Sequence, residues 1–260
     1  MLRSLYSGIS GMKNFQTKLD VIGNNIANVN TYGFKKGRTT FSDLISQTTS
    51  GATAPANGNG GINAKQVGLG AQVASIDTIH TQGSMQTTGR VLDLAISGEG
   101  YFVLEDGAGS EFYSRAGNFY FDENRNIVTS SGLKLAGADI IPATAQSFSI
   151  GTDGSITYVD ADGNTQNAGQ ITIAKFENPE GLDKVGGNTY QVSSNSGAAQ
   201  LTTAGQNGSG SINSGYLEMS NVDLSEEFTE MIVSQRGFQA NTKIITTSDE
   251  ILQELVNLKR

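Results

Sequence analysis

A seven-residue recurrence of apolar residues at both ends of the chain sets the first limit on its fold. Leu5, Met12, Leu19 and Ile26 stand seven apart, and Phe15, Ile22 and Val29 fall three residues after the last three of them. Leu2 and Ile9 widen the stripe at its start, and no proline interrupts Leu2 to Val29. A heptad of this kind predicts an α-helix of roughly 28 residues, about 42 Å long. Leu224, Met231, Phe238, Ile245 and Leu252 repeat the spacing at the other end, with Ile244, Ile251 and Leu258 beside them and Leu255 in the last turn. Asp223 stands where an N-cap belongs, Glu226 and Glu227 occupy the first turn, and Lys259 and Arg260 complete the dipole at the end. Two helices with matched heptads pair, parallel or antiparallel. A two-helix pair covers one face of each helix, and these stripes are broader than that. The surplus apolar surface calls for a partner, and an identical copy is the simplest one.

Between the helices the period changes. Ser46 to Gly70 is low in complexity, rich in Gly, Ala, Asn and Thr, and reads as a flexible or extended connector. From about Val73 to Gly215 short apolar or alternating runs are separated by Gly, Asn and Asp. VLDLAIS at Val91–Ser97, YFVLED at Tyr101–Asp106 and QITIAKF at Gln170–Phe176 read as strands, with turns at Asp122–Asn126 and Asp162-Gly163. The expectation is an α+β fold. Residues 1–35 and 224–260 form paired, coiled-coil-like terminal helices, 36–72 the connector, and 73–223 a central, mostly antiparallel β domain of barrel or sandwich type.

The chain of 260 residues has a formal net charge of −8 and no basic block, which argues against nucleic acid as a partner. It has no cysteine, so thiol catalysis, thiolate metal sites and disulfides are excluded, and one histidine, His80, cannot make a multi-histidine metal site. No apolar run reaches membrane-spanning length, and the first residues lack the long apolar stretch of a cleaved secretory signal. No phosphate-cradling or nucleophile-elbow motif is present, so an enzyme is a poor reading and no cofactor is expected. His80 reads as a structural or exposed residue, and the acids Asp160 and Asp162 as a hairpin turn. A surface adhesin with a β head on a helical stalk is a rival of another class, but stalks carry heptads at one end.

The segment ANVNTYGFKK, Ala27 to Lys36, closes the first helix. Asn24, Asn25 and Asn28 lie within the apolar rhythm, where amides can bond across an interface and fix its register. Gly33 can adopt the left-handed conformation that stops a helix, and Phe34 then offers an apolar contact. The run Asn24-Asn25-Ile26-Ala27-Asn28-Val29-Asn30-Thr31-Tyr32-Gly33-Phe34-Lys35 resembles the N-terminal signature of the bacterial flagellar rod and hook family. GRVLDLAISGEGYF at Gly89–Phe102, FYSRAGNFYFDENRNIVT at Phe112–Thr129 and the block Gly215–Leu258 are similar to further blocks of that family, in the same order.

The resemblance implies a structural subunit of the flagellar axis. Its terminal helices would pack into an inner tube, its β domain into an outer layer, and the assembly would transmit motor torque. It further implies export by the flagellar type III apparatus without a cleaved signal, a place in the basal body or hook outside the cell, and ordering of the termini on assembly. The partners would be copies of the chain itself, the adjoining rod, hook-cap and junction proteins, and the export apparatus, with no membrane insertion. The subunit interface would comprise Leu5, Met12, Phe15, Leu19, Ile22, Asn24, Asn25, Ile26, Val29, Gly33 and Phe34. From the second helix it would add Leu224, Met231, Phe238, Ile245, Ile251, Leu252, Leu255 and Leu258. The length matches a distal rod subunit; the wording of the Phe112–Thr129 block and of the last helix inclines the reading towards the hook.

Overall fold

The computed structural model describes residues 2–55, 60–142 and 144–258, apart from the Leu2 side chain; Lys259 and Arg260, expected at the helix end, lie outside these, as do residues 56–59 of the expected connector. The fold is α+β: a helix at each end and β structure between them. The chain divides into two compact units, one of residues 1–26, 37–77 and 223–260, the other of residues 27–36 and 78–222.

In the first unit, α1 spans Leu2–Ala27 and α2 spans Leu224–Asn257. Asp223 caps α2 by accepting hydrogen bonds from the N–H groups of Ser225 and Glu226 at 2.8 and 3.5 Å. The helices run antiparallel. Gly8 lies against Ile245 and Asn241, and Phe15 against Gly237. Lys18 meets Glu230 at 2.5 Å and Asn25 meets Glu227 at 3.2 Å, so partners descend along α2 as they ascend along α1.

Residues 37–77 fall with the helices and carry strands. Gly37–Asp43 pairs with Ala71–Thr78, and Gln47–Ser50 forms a hairpin with Lys65–Val67, prolonged by a bridge between Thr53 and Ile62. The expected connector therefore pairs with itself and with the segment that follows. Its Thr, Ser and Gln side chains give half-exposed strands without an apolar alternation to announce them. Phe41 packs on Phe15 of α1, ring centroids 6.3 Å apart.

In the second unit the strand Tyr101–Glu105 is the centre. It pairs antiparallel with Glu111–Ser114 on one side, and with Lys134–Leu135 and Thr172–Lys175 on the other. The nine-stranded sheet extends outward through Thr189–Gln191 and Asp183–Gly186 at one edge. At the other it extends through Ile127–Val128 and Tyr120–Phe121, with Gln200–Thr203 on a branch. Side chains alternate faces along a strand. Phe102 and Leu104 enter a large core with Leu94, Ile96, Phe119, Ile173 and Ile212. Tyr101 and Val103 enter a second with Tyr113, Phe176, Leu182 and Tyr190. The turns at Asp122–Asn126 and Asp160–Asn164 close hairpins, each through a 3.0 Å bond between its end residues.

Candidate functional site

The α1–α2 seam is not the apolar zipper that the heptads suggest. On α2 the fully buried residues are Glu227, Ser234 and Ser248, three members of a seven-residue row that also contains half-buried Asn241. The apolar row Leu224, Met231, Phe238, Ile245 and Leu252 lies three residues before it; Leu224 is exposed and the other four are half-buried. On α1, Ile22 is buried and Leu5, Met12, Phe15, Leu19 and Ile26 are half-buried; Val29, expected on the same stripe, lies beyond the end of α1 in the second unit. Two glycines, Gly11 and Gly237, allow close approach: a methyl group on Gly11 would stand 2.7 Å from Asn241 Oδ1, and one on Gly237 2.5 Å from the Phe15 ring.

The amides divide. Asn25 is buried: its Nδ2 donates to Glu227 and to Gly37 O, and its Oδ1 accepts from Gly37 N–H at 2.9 Å. Its bond to Glu227 crosses from α1 to α2. Asn24 is exposed on α1. Asn14, which the heptads do not single out, is buried in α1 as well.

Much of α2 outside this seam is apolar and exposed. Phe228, Ile232, Val233, Ile251, Leu255, Val256 and Leu258 are all open, Ile232 by 59%, Val256 by 67% and Leu258 by 82%; Ile244 is exposed too but belongs to the seam, 3.7 Å from where a Cβ on Gly8 would stand. Of the predicted interface residues, Leu224, Ile251, Leu255 and Leu258 belong to this exposed set. Phe228, Ile232 and Val233 fall outside the seven-residue rows and are seen only once the seam is known. These side chains are interleaved with polar ones and, at about 100° per residue, lie on more than one side of α2.

Gly33 and Phe34 belong to the second unit and do not end α1, which stops six residues earlier at Ala27. Gly33 does have left-handed backbone, φ 68°, but its further constraint is space: a Cβ would lie 2.5 Å from Ala116 N. Phe34 is buried there, with Lys184 Nζ 5.1 Å from its ring centroid. Lys35, passed over in the sequence as part of a motif, is fully buried. Its Nζ donates to Glu218 Oε1 at 2.6 Å and to Thr81 O at 2.7 Å. Arg115 reaches the other Glu218 oxygen at 3.3 Å and Gly98 O at 2.7 Å. Two cations thus share one buried carboxylate. Burial lowers the Lys35 pKa and Arg115 adds to the shift, opposed by Glu218. Beside them His80 Nδ1 bonds to Tyr101 OH at 2.7 Å and its ring stacks edge-on with Tyr101 and Tyr190. Nothing in the one-dimensional pattern pairs Lys35 with a glutamate 183 positions away.

Three family models match. Residues 5–35 match "Flagella basal body rod protein", 95–158 match "Flagellar hook protein FlgE/F/G D1 domain", and 213–258 match "Flagellar basal body rod FlgEFG protein C-terminal". The flagellar basal-body rod protein FlgG of Bacillus subtilis (strain 168) is 62% identical over 265 positions, covering all of both chains. The FlgG of Borreliella burgdorferi is 40% identical over 264 positions, again end to end. The flagellar hook protein FlgE of the same organism is 32% identical, but over an alignment of 442 positions. Of the two readings drawn from the sequence, the rod is therefore the one whose relatives match this chain in length as well as in residues. End-to-end identity at this level, with all three family segments in order, establishes that the chain belongs to the bacterial flagellar basal-body rod and hook protein family.

Proposed function

We propose that this chain is a rod subunit of the bacterial flagellar axis, a structural protein and not an enzyme, which polymerises into a helical tube and transmits torque. The observation that carries the reading is the number of apolar side chains that α2 exposes: Phe228, Ile232, Val233, Ile251, Leu255 and Val256 are all open to a neighbour. Copies of the chain supply that neighbour, each helix pair packing on several others. The predicted residues from Leu5 to Val29 and from Leu224 to Leu258 are assigned to this assembly, some within the pair and some between copies. Adjoining rod, hook-cap and junction proteins meet the ends of the polymer. Delivery by the flagellar export apparatus belongs to the same proposal and is supported by family membership.

The hook is the second reading, favoured by the end-to-end match to FlgE proteins at 32% and 29% identity. Rod identity is supported by the 62% match at equal length. The test is a full-length chain carrying Ile232→Asp and Leu255→Asp, both at exposed positions. It should keep the helical circular dichroism of the unmodified monomer and yield no rods in basal-body preparations. Rods in normal number would overturn the assignment of α2 as the assembly face.

A further inference from the structure

The chain passes between its two units four times, at 26/27, 36/37, 77/78 and 222/223. Inside the second unit the segments that carry these passages are tied to one another. Ile79 N–H donates to Lys36 O at 2.9 Å, and Lys36 N–H donates to Asn221 Oδ1 at 2.7 Å. Asn221 Nδ2 donates in turn to Ile79 O at 2.8 Å. Lys35 Nζ joins Thr81 O to Glu218. Gly33 N–H donates to Glu218 O at 2.8 Å, and Gly83 N–H to Glu218 Oε1 at 2.9 Å. The approach at Gly83 is so close that a Cβ there would fall 2.0 Å from Met219 O. Three short stretches, 33–36, 79–83 and 218–221, therefore form one knot next to three of the four passages, at 36/37, 77/78 and 222/223.

We infer that Lys35, Glu218 and Asn221 are positioning residues of a clasp that makes these three connecting stretches bear twisting force together between the helices and the β unit. The inference rests on the rod reading above. Independent strands under load would peel away one hydrogen bond at a time, each opening locally at low cost. Strands cross-tied by shared partners must open together. Glu218 Oε1 accepts from both Lys35 and Gly83, and the Asn221 amide binds Lys36 through Oδ1 and Ile79 through Nδ2, so no single stretch can leave without breaking bonds that hold another.

The charge count selects the variant. Replacing Glu218 would strand two buried cations, whereas Lys35→Met leaves Arg115 and Glu218 one to one. The experiment places Lys35→Met, and separately Asn221→Ala, in the full-length chain as the only copy in motile cells. Rods are counted by microscopy, and rotation is measured at low load with small beads and at high load with tethered cells. The expected result is a normal number of rods, unchanged low-load speed, and a drop of roughly two-fold or more at high load. Unchanged high-load speed, or an equal fall at both loads, would overturn the clasp and leave the rod reading standing. Absence of the unmodified chain from purified basal bodies would overturn the rod reading itself. Should neither variant fold, hydrogen exchange of the unmodified chain decides. The amides of Gly33, Lys36, Ile79 and Gly83 should open at a single rate, and scattered rates would overturn the clasp.

Discussion

At the scale of single residues, the second unit holds more titratable chemistry than a structural part needs to stand. His80 is the one histidine of the chain. Burial lowers its pKa from 6.5 to about 4, and the nearby charges of Lys35, Lys184 and Arg115 push in the same direction. The unfolded chain takes up this proton near pH 6.5, while the folded chain refuses it until about pH 4. Between those values the unfolded state binds more protons, so stability is complete above the window and falls as the pH drops through it. The loss from this residue is at most about 3 kcal/mol. His80→Phe keeps a ring between Tyr101 and Tyr190 and gives up the titration. Its denaturant midpoint should be lower than that of the unmodified chain at pH 7, through the lost bond to Tyr101, and the gap should narrow at pH 4.5. A gap that stays constant with pH would show that His80 does not titrate in this window.

At the scale of elements, the two helices illustrate how glycine is read by its surroundings. In an exposed helix interior, Gly→Ala gains up to about 1 kcal/mol of propensity. Gly23 in α1 has nothing within 4 Å of where a Cβ would lie, so Gly23→Ala should stabilise the helix. Gly237 in α2 faces the Phe15 ring, which is itself held against Phe41. Overpacking there costs about 1–3 kcal/mol, more than propensity returns, so Gly237→Ala should loosen the pair. Thermal melts followed by helical circular dichroism should move in opposite directions for the two variants; movement in the same direction would show that the seam is not packed as described. The same seam marks what sequence pattern can convey. The two helices, the Asp223 cap, the strands within Val91–Ser97, Tyr101–Asp106 and Gln170–Phe176 and the turns at Asp122–Asn126 and Asp162-Gly163 were legible, because period and turn chemistry are local. The seam was not. A heptad names the most apolar rows, and the most buried row of α2 is the polar one of Glu227, Ser234 and Ser248. The strands within 36–72 were missed for a related reason: Thr and Ser fill them, and neither gives an apolar alternation. Lys35 was invisible because its partner is supplied by a distant strand.

At the scale of the whole molecule, the buried apolar side chains are divided very unequally. Among the described residues Ile22 is the one fully buried apolar side chain of the first unit; the others, from Phe34 to Leu217, lie in the second. Burial of apolar area is the main stabilising term in folding, so the second unit holds the larger share of it and the first the smaller. On the proposed assembly, copies that cover the exposed apolar side chains of α2 supply what the core of the first unit lacks. Calorimetry of the full-length chain should therefore show two transitions. The upper one, from the β unit, should be independent of protein concentration. The lower one, from the helices, should rise with concentration, each tenfold increase contributing up to about 1.4 kcal/mol as copies cover one another. Ile232→Asp with Leu255→Asp should leave the upper transition in place and remove the concentration dependence of the lower. One cooperative transition, the same at every concentration, would mean that the helices are held by the chain itself, and the division of labour between a self-sufficient β unit and an assembly-dependent helical unit would not stand.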